Sequence, residues 1–260
     1  MCLLVLAWQS HPRYRLVVAA NRDEFHERPT APMDKWAPPD DIIAGRDLRA
    51  GGTWLAMDRK LRFGVITNFR DMQAPLPGAP SRGKLITDYL RNPEGAAAYF
   101  RRLEPTAQEY SGFNLLLMDN DSLWYASNRA EPFAKSLPPG IYGLSNHYLD
   151  TPWPKLQRVR GRFDPLLRQG GEIAKGELLS ILADPTQAGI DEELPETRLS
   201  AEWEQLLSSA FIRNEQYGTR CSTLVLLEHS GAVTLLERRF DPLGATVSDT
   251  EFTLRAGEWP

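Results

Sequence analysis

The 260 residues exceed a typical domain but fit one large α/β or all-β unit. Hydrophobic residues are 42% and charged residues 25%, and Lys+Arg 30 against Asp+Glu 34 leaves a formal charge of −4, which excludes the basic footprint of a nucleic-acid binder. No apolar run approaches the roughly 20 residues of a bilayer span, and two cysteines exclude a disulfide framework or a Cys-rich zinc site.

Leu3 to Trp8 is apolar but too short, and lacks the basic flank, for a secretory leader. It reads as a buried strand, Cys2–Trp8, paired through a hairpin with a second strand over 14–20 that delivers Asn21-Arg22-Asp23-Glu24 at its end. Prolines at 29, 32, 38 and 39 predict an irregular stretch. Gly51 to Met57 reads as a turn and strand, and 62–67 as a strand ending on Asn68. A Pro/Gly loop including Pro75 precedes a helix from Ser81, and Asn92-Pro93-Glu94 predicts the cap of a second helix. Strands over 113–118 and 122–127 flank a turn at Asp119-Asn120-Asp121, and 140–144 is a short strand ahead of Asn146. Helical spacing runs from Pro152 to Ala183, broken at Gly170-Gly171, and Ser200 caps a helix to about Phe211. Strands over 222–228 and 232–239 close the pattern around Ser230-Gly231. Hairpins with blocks of helices predict antiparallel sheets covered by helical layers, in one domain spanning 1–260.

Cys2 carries the chemistry. Removal of the initiator methionine makes it the N-terminus, with a thiol of pKa about 8.5 beside an α-amine of about 7.7–8.0. Nucleophile and proton acceptor then belong to one residue. The ordinary alternative is a buried hydrophobe. Acyl transfer also needs oxyanion donors and orienting groups. Asn68 and Asn146 suit the first role. Asp23 or Glu24 suits the α-ammonium, and Arg22 or Arg220 suits a nearby carboxylate or thiolate. Each is also an ordinary turn or surface residue.

Met-Cys at the start, Asn21-Arg22-Asp23-Glu24, Gly45-Arg46-Asp47, Gly51-Gly52-Thr53-Trp54-Leu55, Ser81-Arg82-Gly83, Phe113-Asn114-Leu115-Leu116, Gly143 to Asn146 and Tyr217-Gly218-Thr219-Arg220 together resemble the NRDE, or transport and Golgi organization protein 2, family. The resemblance spans nearly the whole chain. It implies an α+β fold, a four-layer αββα sandwich of two antiparallel sheets similar to N-terminal-nucleophile (Ntn) hydrolases such as choloylglycine hydrolases and penicillin V acylases. It also implies Cys2 as nucleophile, with Arg22, Asp23, Asn68, Asn146 and Arg220 as catalytic partners. Asn21, Glu24, Arg46, Asp47 and Arg82 are expected to bind or orient substrate. Arg22 and Asp23 are adjacent, whereas the acylases separate this pair by two residues, so either Asp23 or Glu24 faces the amine. Cys221, which opens a strand, is expected to be a packed thiol.

The expected function is hydrolysis of a linear, non-peptide amide through an acyl-enzyme, with no metal or cofactor, in the cytoplasm. The alternative is a small-molecule carrier for an acyl-CoA, lipid or haem on the same fold, with Cys2, His26 and His147 as haem-ligand candidates. A Cys–His hydrolase is a third option that no residue pattern favours. The expected partner is a small molecule, and the oligomeric state, homodimer included, is left open.

Overall fold

The computed structural model describes the chain apart from residues 1, 71, 73–75, 190, 191, 193, 195, 196 and 198, and of Cys2 the backbone alone. Strands β1 (Cys2–Trp8) and β2 (Tyr14–Phe25) come first, then β3 (Thr30–Lys35), β4 (Ile42–Asp47), β5 (Leu55–Asp58) and β6 (Phe63–Asn68). Helices α1 (Lys84–Arg91) and α2 (Ala96–Leu103) precede β7 (Phe113–Met118), β8 (Leu123–Ser127), β9 (Ala134–Leu137) and β10 (Gly140–Leu144). Helices α3 (Pro154–Arg168), α4 (Lys175–Leu182) and α5 (Ala201–Leu206) lead to β11 (Tyr217–Glu228), β12 (Val233–Phe240) and β13 (Thr246–Leu254). No helix among the described residues is long and apolar enough to cross a membrane.

The chain forms two compact units. The first combines residues 1–27, 139–145 and 149–258. Its six-stranded antiparallel sheet has the order β10-β1-β2-β11-β12-β13. Leu3, Val5, Val17, Ala19, Leu224 and Leu236 alternate along their strands and pack with Leu156, Val159, Phe163 and Leu178 of α3 and α4. Leu4, Leu6 and Val18 on the opposite pleat are equally buried, so these central strands are apolar throughout.

The second unit combines residues 28–138, 146–148 and 259–260. Its seven strands run in sequence order from β3 to β9. Ile42, Ala44, Ile66, Leu115 and Leu117 pack with Ile86, Tyr89, Tyr99 and Phe100 of α1 and α2. The chain is thus α+β, with two antiparallel sheets and a helical layer on each, the components the expected architecture calls for.

The elements differ from expectation where pairing or capping overrides local signals. The stretch around Pro29 to Pro39 contains β3, an edge strand that admits Pro32 because its pairing with β4 is irregular between Ala31 and Asp34. Asn92 closes α1, its Nδ2 donating to the Asp88 carbonyl at 2.7 Å, and α2 starts only after Gly95. Ser200 does cap α5, accepting from Trp203 N–H, but that helix stops at Leu206. Helix α1 begins at Lys84 rather than Ser81. β11 begins at Tyr217, so Cys221 is a buried residue inside a strand rather than its first member. Pro75 lies outside the described residues.

One motif is explained by a backbone crossing. A Cβ on Gly52 would lie 2.6 Å from the Gly83 carbonyl carbon, and one on Gly83 would lie 2.7 Å from the Thr53 oxygen. Gly83→Ala is expected to destabilise the protein by about 1–3 kcal/mol. Gly161→Ala, on α3 with open space around the new methyl, is expected to stabilise it by about 0.5–1 kcal/mol. Urea denaturation of both variants checks the contrast.

His11 holds the β1–β2 hairpin. Its buried ring accepts on Nδ1 from the backbone N–H groups of Arg13 at 3.1 Å and Tyr14 at 3.2 Å. Burial, then His229 and Arg13, lowers its pKa below the ordinary 6.5. The unfolded chain therefore takes up this proton first on acidification. The His11 contribution to stability is full above pH 6.5, falls as pH drops through that value, and levels once the folded ring titrates. Comparing urea midpoints at pH 7.5 and 5.5 should show a smaller fall for His11→Asn than for the parent.

Candidate functional site

The first unit carries the strand that begins at Cys2 and its surroundings. Cys2 stands opposite Arg22 in the β1–β2 ladder, and Arg22 stands opposite Cys221 in the β2–β11 ladder. β2 runs through the whole Asn21–Glu24 motif instead of ending before it. Alternation therefore splits the motif, with residues 21 and 23 on the helix-covered pleat and 22 and 24 on the other. Arg220 likewise lies inside β11, beside an irregularity between Thr219 and Cys221.

Asn21 is consumed by the fold. Its Nδ2 donates to the carbonyls of Leu182 and Ala210, both at 2.8 Å, while its Oδ1 accepts from Ser222 Oγ at 2.6 Å. It fastens β2 to the end of α4 and to the segment before β11.

Asp23 is buried, and burial pushes its carboxyl above the usual carboxylate range. The amino terminus, Lys155, a Thr219 hydrogen bond and Arg22 act in the opposite direction. Thr219 Oγ1 donates to Asp23 Oδ1 at 2.7 Å and Tyr217 OH donates to the Asp23 carbonyl at 2.9 Å. Thr219 Oγ1 in turn accepts from Ile212 N–H at 2.9 Å. The Tyr217 to Arg220 motif is thus a cradle for Asp23. Lys155, at the start of α3, is also buried and donates from Nζ to the Leu207 carbonyl at 2.7 Å.

Arg22 is almost wholly buried, with Nη2 4.0 Å from Glu24 Oε2. Arg220 donates from Nη1 to the carbonyls of Phe25 at 2.9 Å and His26 at 3.2 Å. Burial, then the positive charges of Arg22 and Arg239, lowers the proton affinity of Arg220. The Cys2 side chain, on which the expected chemistry rests, lies outside the described residues, as does Met1.

The second unit brings the two expected asparagines together across 78 positions of sequence: Asn146 Nδ2 donates to the Asn68 carbonyl at 3.0 Å. Asn146 is buried and left-handed, at φ 58°, a conformation Asn tolerates better than most residues. Its carbonyl accepts from Arg70 N–H at 2.7 Å. Asn114 braces this corner, donating to Thr67 Oγ1 at 3.1 Å and the His147 carbonyl at 2.9 Å, and accepting from Tyr125 OH at 2.8 Å. Arg82 adjoins it, because the Gly112 carbonyl accepts from both Arg82 Nη1 at 2.8 Å and Phe69 N–H at 2.9 Å. Arg46 and Asp47 are the last two residues of β4. Arg46 lies 4.4 Å over the Trp36 ring, and Asp47 accepts from Arg28 Nε at 2.7 Å and from the N–H groups of Arg49 and Ala50. Among the described residues no group of three His, Cys, Asp or Glu could hold a metal ion.

Residues 1–242 match the family described as Transport and Golgi organisation 2. The chain belongs to that family. It is 31% identical over 278 residues to the Transport and Golgi organization 2 homolog of Mus musculus, covering 98% of this chain and 100% of the relative. It is 32% identical over 278 residues to the Homo sapiens homolog, with the same coverage. The Drosophila melanogaster Transport and Golgi organization protein 2 is 29% identical over 274 residues, covering 94% of this chain and 95% of the relative. The Transport and Golgi organisation 2 likeness thus runs through both units.

Sequence reasoning did not single out Lys155, Thr219 or Asn114. Asn114 and Thr219 fall inside stretches of family resemblance, and for Lys155 a lysine following Trp153-Pro154 at a helix start was the available signal.

Because the Asp23 carboxyl titrates above its ordinary 3.8, its ionisation opposes folding as pH rises from there through the raised value. Asp23→Asn is expected to match the parent near pH 3.5 and to gain stability over it by pH 7. Urea unfolding across that range measures the difference.

Proposed function

We propose that this chain is a cysteine Ntn amidohydrolase acting on a linear, non-peptide amide. The observation that carries the reading is Asp23: a buried carboxyl, cradled by Thr219 and Tyr217, one residue along β2 from the position paired with Cys2. Burying such a group costs stability and serves no packing purpose, which is the pattern of a functional site. It favours Asp23 over Glu24 as the group that holds the terminal ammonium, since the amino terminus is among the charges that act on the Asp23 carboxyl, whereas Glu24 reaches toward Arg22.

In this mechanism the Cys2 sulfur gives its proton to its own α-amine and attacks the substrate carbonyl. A tetrahedral oxyanion forms, for which the Asn68–Asn146 corner is the assigned source of donors. The ammonium then protonates the leaving amine as the C–N bond breaks and a thioester remains. Water, deprotonated by the same amine, releases the carboxylic acid and restores the thiol. The choice of amide over ester follows the resemblance to the acylases.

Intact-mass measurement of purified protein should show loss of the initiator methionine. Iodoacetamide followed by peptide mapping should label Cys2 ahead of buried Cys221. In a screen of N-acyl amines and N-acyl amino acids, Cys2→Ala should abolish turnover and Asn146→Ala should reduce it about 10²–10³-fold. A retained methionine, or preferential labelling of Cys221, would overturn the reading.

A further inference from the structure

Positive charge collects on one stretch of the first unit's sheet. Arg22 in β2 and Arg239 in β12 both stand opposite Cys221 in β11, so the three positions form one row across three strands. Cross-strand partners share a pleat. This is the pleat turned away from α3 and α4, because Ala19, Leu224 and Leu236 at the alternate positions pack with those helices. The irregularity between Thr219 and Cys221 adds Arg220 beside the row, and such bulges re-aim a side chain. Arg22 and Arg239 both act on the charge of Arg220, so each lies within electrostatic reach of it. The carbonyls of Phe25 and His26 accept from Arg220 and help to hold it in place. Among the described residues of β2 and β12, Glu24 and Glu237 lie on the same pleat. Asp249 is committed to Arg238, on the other pleat, at 2.7 and 2.8 Å.

We propose that Arg22, Arg220 and Arg239 form an anion subsite that takes a phosphate-type oxyanion of the ligand. Guanidinium forks bind phosphate oxygens in pairs, and several of them suit a doubly charged group better than a single carboxylate. Arg239, which no motif singles out, closes the subsite on the β12 side. The proposal rests on the preceding reading only for the face that the ligand approaches, and its test measures binding without turnover.

Calorimetric titration of the purified full chain with inorganic phosphate, pyrophosphate and glycerol 3-phosphate, with acetate as control, reads the soluble form of this chemistry. Sedimentation with phosphatidylcholine vesicles, with and without phosphatidic acid, reads the membrane-borne form. Binding in either arm should weaken with added NaCl. It should fall about tenfold or more in Arg239→Gln and less in Arg239→Lys, which keeps the charge. Soluble binding with this dependence assigns a free phosphate group, and vesicle binding alone assigns a lipid headgroup. Binding in neither arm, binding of acetate as tight as phosphate, or binding unchanged in folded Arg239→Gln overturns the subsite. Cys2 alkylation with no phosphate binding strikes the subsite alone. Phosphate binding with an unreactive Cys2 strikes the catalytic reading alone.

Discussion

The pairing of β2 on both edges, with β1 on one side and β11 on the other, is the constraint on which the first unit depends. A strand hydrogen-bonded on two sides cannot slip, because a shift of one residue would turn every side chain to the opposite pleat. That fixed register lets a run of four polar residues sit inside a sheet. Asn21 and Asp23 reach partners in β11 and around the helices, and Arg22 and Glu24 reach the other side. β11 supplies matching hydroxyls, Ser222 for Asn21 and Thr219 for Asp23, at the ladder positions directly opposite.

Asp23 and Asn21 show how the same environment sorts neighbours into different tasks. Asn21 is neutral and its amide is satisfied in both donor and acceptor senses, so its burial stabilises at little electrostatic cost. Asp23 faces burial that disfavours its charge and several groups that favour it. A carboxyl in such balance shifts its proton affinity with small changes nearby. The second unit solves a related problem with neutral groups, as Asn114 ties the ends of two segments so that Asn146 keeps a left-handed backbone.

The apolar strands, both sheets' antiparallel character and the α3–α4 helical block were legible because burial imposes a repeat of two or of 3.6 residues on the sequence. Edge strands were not. β3 carries a proline and β13 is largely exposed, so neither shows the alternation that burial imposes. The motif residues stood out in the sequence, but their geometry did not. Asn21-Arg22-Asp23-Glu24 looks like a polar corner, and only the tertiary partners Thr219 and Ser222 reveal a strand. Asn68 and Asn146 are joined by a contact between segments far apart in sequence, which no local pattern encodes. Arg46 and Asp47 stood out by family pattern, and only the structure shows their contacts to Trp36 and Arg28.

The order in which the two units draw on the chain has a consequence for biogenesis. Residues 1–27 find their β11 neighbour only near position 217, after residues 28–148, nearly all of the second unit among them, have been synthesised. A nascent chain therefore holds the buried apolar residues of β1 and β2 with one edge unmatched for most of its synthesis. Neither unit can be expressed as a contiguous fragment, and a premature stop anywhere before β11 removes the partner of the very first hairpin.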